Sequence, residues 1–202
     1  SYSLTASREM VYTSSNSEYN SQNVYSLNVS IPFDFFSSKG VVSSGVTHYG
    51  KDGNVFQNNY NGNFGDQNQY NYTLNQAIDK RSDTNSYGMT LSKDTSLGTF
   101  GGGYSRQSNS TILSANGRGS VVAYKGGIIP GPSVSETFAI VEAEGAQGAK
   151  LSNTNGVKIN RFGKAVVPSL SAYRYNNISL DPKDMDANVE LSETQKKVAP
   201  YA

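Results

Sequence analysis

Apolar and polar residues alternate strictly along Tyr25-Ser26-Leu27-Asn28-Val29-Ser30-Ile31. Successive side chains of a strand point to opposite faces. Tyr25, Leu27, Val29 and Ile31 therefore share one face, and Ser26, Asn28 and Ser30 the other. Pro32 follows, and a residue with no N–H for the ladder predicts the end of that strand. The rhythm returns at Tyr70, Tyr72 and Leu74 against Asn71, Thr73 and Asn75. It returns again at Tyr87, Met89 and Leu91 against Gly88, Thr90 and Ser92, and Phe100 and Tyr104 flank Gly102 on a face opposite Thr99, Gly101 and Gly103. Weaker copies stand at Tyr2-Leu4-Ala6 and Thr111-Leu113-Ala115. Between these runs lie Lys51-Asp52-Gly53-Asn54, Asn61-Gly62-Asn63, Gly65-Asp66-Gln67-Asn68 and Asn116-Gly117. Gly and Asn supply the positive φ of tight hairpins, so each predicts a turn. Residues 1 to about 130 read as antiparallel hairpins in series.

The texture then changes. Gly126-Gly127-Ile128-Ile129-Pro130-Gly131-Pro132 reads as an exit into a linker. Beyond it come short apolar runs without helical period: Phe138-Ala139-Ile140-Val141, then Val157 and Ile159 after Asn155-Gly156, then Ala165-Val166-Val167. Tyr173, Tyr175, Ile178 and Leu180 lead to Asp181-Pro182, and Val189 and Leu191 close the set, with no terminal strand evident before Ala202. Such a pattern predicts a small β-sandwich over 136–202, after a meander over 1–131. The fold class expected is all-β.

Composition narrows the chemistry. Among 202 residues only 36% are hydrophobic, against 20 Gly, 14 Tyr and 8 Phe. That mixture suits strands with one wet face better than a thick aliphatic core. Net charge is +1 with no dense basic run, so nothing points to nucleic acid. With no Cys there are no disulfides and no thiolate sites. No apolar run is long enough for a membrane-spanning helix. The opening SYSLTASREM has neither the basic nor the apolar region of a signal peptide, and reads as mid-strand sequence from a longer protein.

Alternation by itself fits both a soluble sheet and a membrane barrel. In a barrel, the polar face lines a wet lumen and the apolar face meets lipid. Here the polar face is small and uncharged, and the other is rich in Tyr. Tyr49, Tyr60, Tyr70, Tyr87, Tyr104 and Tyr124 are candidates for interfacial girdles. High β-propensity explains the same tyrosines without a membrane.

No residue set argues for catalysis, a cofactor or a metal. His48 is the single histidine, and Thr47 and Tyr49 beside it offer it no partner. Gly101-Gly102-Gly103-Tyr104 lacks the Lys and the following helix of a phosphate loop. Asp181, Asp184 and Asp186 lack the Gly and closing Glu of an EF-hand and read as a solvated turn. The sequons at Asn28, Asn71, Asn109 and Asn177 are what an Asn- and Ser-rich chain produces by chance.

One ordered series of motifs goes further: Glu142-Ala143-Glu144-Gly145-Ala146, Asn153-Thr154-Asn155-Gly156-Val157, Gly163-Lys164-Ala165-Val166-Val167-Pro168, Tyr173-Arg174-Tyr175-Asn176 and Leu180-Asp181. In that order they resemble the first C-terminal domain of the outer-membrane fimbrial ushers of the chaperone–usher pathway. Ser120–Ile128 resembles the end of the usher barrel, and the stretches from Tyr25 and Gly65 resemble its late strands. The resemblance implies transmembrane barrel strands over 1–131, a partial barrel, followed by an incomplete periplasmic sandwich over 136–202. It implies secretion and assembly of chaperone-delivered pilus subunits at the bacterial outer membrane. The partners implied are periplasmic chaperone–pilin complexes, outer-membrane lipid and the remainder of the usher chain, with no enzyme activity and no cofactor. Phe162, Tyr173 and Tyr175 are the candidate partner contacts. A soluble β-rich surface adhesin and a simple porin are the rival readings, and the appended 137–200 segment weighs against a passive pore.

Overall fold

The computed structural model describes all residues except 14–17, 36, 153, 182, 184–193 and 202, and no side chain between 11 and 20. Val189, Leu191, Asp184 and Asp186 therefore lie outside the described residues. No α-helix is present among those described. The strands are β1 (Tyr2–Thr13), β2 (Glu18–Phe35), β3 (Ser38–Tyr49), β4 (Gly53–Phe64), β5 (Tyr70–Asp79), β6 (Thr84–Thr95), β7 (Gly98–Gln107), β8 (Ser110–Arg118), β9 (Ser120–Tyr124), β10 (Gly127–Gly131), β11 (Ala139–Glu142), β12 (Lys150–Leu151), β13 (Lys164–Val167), β14 (Asn176–Asp181) and β15 (Gln195–Val198). The chain is all-β: β1 to β8 form one eight-stranded sheet in sequence order, and three small sheets follow.

Registry in the meander shows how the alternation is used. Ser26 pairs with Thr47, Asn28 with Gly45 and Ser30 with Ser43, so the hydroxyl face continues from β2 to β3. The Ser26 and Thr47 hydroxyls are 3.0 Å apart, and those of Ser30 and Ser43 2.8 Å. A Cβ at Gly45 would overlap the Asn28 amide oxygen, so the missing side chain makes room for that amide. On the other face Tyr25, Leu27, Val29 and Ile31 are all exposed, beside Val42, Val46, Phe56 and Tyr60 on neighbouring strands. One polar track crosses this face: the Ser44 hydroxyl donates to Asn58 Oδ1 (2.7 Å), and Asn58 Nδ2 donates to Gln76 Oε1 (3.4 Å).

Three expected boundaries are corrected. β2 continues past Pro32 to Phe35. Ser30 N donates to Ser1 O, so the nitrogen two residues on also points to the β1 side, away from β3. The β2–β3 ladder thus loses no donor at Pro32. Asn61-Gly62-Asn63 lies inside β4 and Asn116-Gly117 inside β8. These glycines leave room for aromatics rather than turning the chain. Gly62 pairs with Gly40, and Cβ atoms at the pair would meet the Phe33 ring (2.7 Å) and the Tyr72 hydroxyl (2.8 Å). A Cβ at Gly117 would lie 3.1 Å from the Phe100 ring. Aromatic cover of a strand glycine restores the packing its missing side chain forfeits.

By its contacts the chain divides into two compact units. The first holds residues 1–64, 71–91 and 102–114; the second holds 65–70, 92–101 and 115–202. In the second unit, Gly126–Pro132 is not a linker. β10 pairs antiparallel with β9 in a hairpin. β13 is buried on both faces. Ala165 and Val167 join Leu151, Val157, Ile159, Ala146 and Ala149, whereas Val166 joins Val122 and Ile129 of the hairpin. A strand covered on both sides has no wet face, which is why Ala165-Val166-Val167 reads as a continuous apolar run. Each fully buried aliphatic here contributes about 1.5–3 kcal/mol. Val157 and Ile159 are core residues, but they make only the isolated bridge of Lys158 to Lys150 and not a strand. β15, which pairs with β14, is a strand the alternation does not announce.

Candidate functional site

The exposed aromatics of the second unit are held on short, well-braced turns. Asn160 Oδ1 accepts from the N–H groups of Phe162 (2.8 Å) and Lys164 (3.0 Å), and Gly163 N–H closes onto Asn160 O at 3.0 Å. This turn raises Phe162 into solvent, with the Arg161 guanidinium 4.7 Å from its ring centre.

At the other end of β13, the loop Ser171–Asn176 is organised by one side chain. Asn176 Oδ1 accepts from Ser171 N–H (2.8 Å). Its Nδ2 donates to the carbonyls of Ser171 (2.8 Å) and Arg174 (2.9 Å), and more distantly to that of Val198 (3.4 Å). Tyr173 sits at φ +57°, a left-handed backbone rare for an aromatic residue. Its N–H donates to Pro200 O (2.9 Å), and its ring meets that of Tyr201 edge-on at 6.0 Å. Tyr173, Tyr175 and Tyr201 are 68%, 82% and 85% exposed. Tyr175, Asn177 and Lys197 line a recess of about 410 Å³.

Tyr173 and Tyr175 thus fall on one loop, and Phe162 on another turn beyond the far end of β13. Tyr201 was not singled out by sequence reasoning. Its signal, an aromatic after Pro200, acquires meaning only when β15 pairs with β14 and brings Pro200 to Tyr173.

A second group of contacts holds the turns β4–β5 and β6–β7 against the segment around β12. Gln67 Nε2 donates to Leu151 O (3.0 Å), and Lys150 Nζ lies 3.3 Å from Asp66 Oδ2. The Ser96 hydroxyl donates to Lys158 O (3.2 Å) and accepts from Lys158 N–H (2.8 Å). Gly65-Asp66-Gln67-Asn68 is the turn its sequence announces, and it also carries two of these contacts.

Tyr124 lies outside the eight-stranded sheet, at the end of β9, and so is not part of a girdle on that sheet. Lys164 Nζ donates to its hydroxyl at 2.6 Å and to Gly126 O at 3.0 Å, and the Tyr124 hydroxyl donates to Glu142. The Tyr124 hydroxyl and the Lys164 ammonium hold the Glu142 carboxyl below its ordinary value. The bond to Tyr124, then Glu142, raises Lys164. This cluster ties the β9–β10 hairpin to β11 and β13.

Of the other girdle candidates, Tyr49 carries Arg81 3.9 Å from its ring centre, and Tyr87 and Tyr104 pair at 6.3 Å. His48 has partners that its sequence neighbours do not suggest: Nδ1 is 2.8 Å from Asn54 Oδ1, and its ring stacks on Tyr25 at 6.4 Å. Among the described residues, no group of three His, Cys, Asp or Glu gathers as metal ligands.

Comparison with known proteins gives a consistent set. A family model described as "Outer membrane usher protein" matches residues 1–202. The chain is 39% identical over 145 residues to the outer membrane usher protein HifC of Haemophilus influenzae, covering 70% of this chain and 17% of that one. It is 30% identical over 183 residues to the outer membrane usher protein YraJ of Escherichia coli (strain K12), covering 91% and 22%. Its fold matches a chain of the E. coli P pilus tip assembly intermediate PapC-PapD-PapK-PapG with a TM-score of 0.70. That match covers 99% of this chain and 26% of the other at 16% identity, and is a likeness of fold. The matched stretches span only 17% and 22% of the length of these two curated relatives.

Proposed function

The chain belongs to the outer-membrane usher family, and from that premise we propose that its parent polypeptide assembles pilus subunits and exports them across the bacterial outer membrane. The subunits arrive as periplasmic chaperone–pilin complexes. Each is transferred when the next subunit's strand replaces the chaperone's, a form of β-strand addition. The exchange needs no nucleotide and no covalent catalysis. Strands β1 to β8 are C-terminal strands of the pore wall, with the Ser/Asn/Thr face to the lumen and the Tyr/Leu/Val face to lipid, whereas the β9–β10 hairpin up to Gly131, which packs on β13, goes with the domain that follows. Residues 136–202 belong to a periplasmic domain that receives the incoming complex, and Phe162, Tyr173 and Tyr175 are its candidate contacts.

The observation that carries this reading is the pairing of a two-faced meander with braced turns at one set of strand ends. Gln67, Asp66 and Ser96 hold the segment around Leu151 and Lys158 by hydrogen bonds and an ion pair. A solute pore has no use for a β domain fixed in this way. A soluble adhesin has no use for a sheet face exposing Tyr25, Leu27, Val29 and Ile31 together.

The test is reconstitution of the parent protein in lipid with its chaperone–subunit complexes. Subunit-to-subunit polymerisation faster than in protein-free vesicles is expected. Equal rates with and without it would refute the proposal, and partition of the parent into the aqueous phase without detergent would favour the adhesin.

A further inference from the structure

We infer that the Tyr/Leu/Val face of the eight-stranded sheet ends in a row of cations that holds the phosphates of the glycolipid in the outer leaflet of the bacterial outer membrane. The row stands at the strand ends away from the β4–β5 and β6–β7 turns. The inference rests on the pore-wall reading above and names the chemistry of the lipid that the wall meets.

Register places the row. β1, β3, β5 and β7 all run away from those turns. On the face of Tyr25, Leu27 and Val29, Arg8 follows Ala6 on β1 and His48 follows Val46 on β3. The Asn58–Gln76 bond puts Gln76 and Ile78 of β5 on this same face. Lys80 comes next, just past β5, and its N–H still donates to Asn54 O (2.9 Å), so it keeps the strand's alternation. On β7, Tyr104 meets Tyr87 of this face, and Arg106 follows it. Every strand running this way therefore carries its apolar series out to a basic side chain. All four are exposed.

The sign of charge is divided between the faces. Glu9, Asp34, Asp79 and Asp94 all fall on the Ser/Asn/Thr side. Among the described residues, no strand position on the Tyr/Leu/Val side holds Asp or Glu. Arg8, Lys80 and Arg106 accordingly have no carboxylate partner among the described residues, whereas Arg81 beside Lys80 is neutralised by Asp79 at 2.8 Å. Water at a strand end solvates either sign. A fixed negative charge alongside favours only the cations.

At the other end of this face the described cation is Lys93, and its ammonium lies 5.0 Å from the Tyr70 ring centre. The two rims thus differ, as do the two leaflets they would meet. With the domain around Leu151 in the periplasm, the row of Arg8, Lys80 and Arg106 lies in the outer leaflet. The strands carrying Lys80 and Arg106 are two apart, roughly 10 Å across the sheet. That separation suits phosphates at the two ends of a disaccharide better than the single phosphate of a glycerophospholipid. Arg8 already donates one N–H to Ser21 Oγ (2.7 Å), which steadies it while other N–H groups of its fork stay available to a phosphate.

The experiment uses the parent protein purified in a neutral detergent. Native mass spectrometry counts the lipid it retains from three probes: lipid A with both phosphates, lipid A with both removed, and phosphatidylglycerol. The bisphosphorylated form should be retained at least about tenfold better than the dephosphorylated one. Neutralising one cation, as in Lys80→Gln or Arg106→Gln, should lower its affinity about fivefold. Arg8→Gln, Lys80→Gln and Arg106→Gln together should remove the preference for phosphate, whereas Lys39→Gln on the opposite face should not. The thermal transition reports whether the triple variant keeps its fold, and the dephosphorylated probe tests the unaltered protein without any variant. Equal retention of the two forms of lipid A overturns the inference, as does a folded triple variant within about twofold of the parent. Equal retention of phosphatidylglycerol overturns the choice of glycolipid. If the parent protein does not insert into lipid, the pore-wall reading fails too. If it inserts and retention ignores phosphate, only the cation row fails.

Discussion

Gly156 lies directly against the main chain of Asp94: a Cβ there would overlap the Asp94 carbonyl oxygen and would also sit 3.1 Å from the Gln69 side chain. Its φ of +68° adds a conformational penalty for any other residue. Gly156→Ala should therefore push the Asn155-Gly156 turn off the β6 end and the β4–β5 turn, costing about 1–3 kcal/mol. Hydrogen exchange should rise at residues 65–70 and 94–97 and in the Leu151 segment, and unfolding should begin at lower temperature. Unchanged protection there would show that the backbone yields without cost.

Asn176 should be the residue on which the Tyr173 loop depends. Asn176→Ala strands Ser171 N–H and leaves three carbonyls without this donor, a loss of about 1–2 kcal/mol. The effect should be local. Proteolysis between Ser171 and Tyr175 should accelerate while the Leu151 core keeps its protection.

The Tyr124–Lys164–Glu142 cluster makes attachment of the β9–β10 hairpin pH-dependent at both extremes. Glu142 is lowered from 4.5, so its contribution is present above that value and is lost as pH falls through the folded-state value. Lys164 is raised from 10.5, so its contribution is present below that value and is lost as pH rises through the folded-state value. A plateau between 4.5 and 10.5 is expected, with looser amides in Ser120–Tyr124 on either side. Because Glu142 is more than half exposed, the loosening should be slight and should shrink in salt. Glu142→Gln should abolish the acid limb and leave the alkaline one weakened.

Asn28 and Gly45 should be coupled. Gly45→Ala in the unaltered protein drives a methyl into the Asn28 amide and should cost about 1–3 kcal/mol. In an Asn28→Gly background the same substitution should be close to neutral. Measured on refolding into lipid, the coupling energy of the cycle should exceed about 0.5 kcal/mol. Additive effects would mean that the amide simply swings aside.

The meander was legible because its signal is local. Alternation at Tyr25–Ile31, Tyr70–Asn75 and Tyr87–Ser92 needs no knowledge of a partner strand, and all three stretches lie in strands. What failed was punctuation. An Asn-Gly pair looks the same whether it turns the chain or, like Gly62, lies against the Tyr72 hydroxyl and the main chain of Lys39 on the two neighbouring strands. Pro32 misled for a related reason: whether its missing N–H matters depends on which neighbour it faces. β15 escaped because Gln195-Lys196-Lys197-Val198 has no apolar alternation, its pairing being decided by β14. Phe162, Tyr173 and Tyr175 are all exposed. Their grouping was not legible, since it needs Asn176 to shape the loop and Pro200 to reach Tyr173.

The room left at Gly45 has a consequence for how these strands align. A strand that slides by two residues keeps every side chain on its proper face, so greasy and wet surfaces alone do not detect the error. After such a slide Asn28 would face Ser43 or Thr47, and neither offers an empty berth for its amide. The pair therefore works like a vernier mark, indicating when two neighbouring strands have come to rest at the right offset.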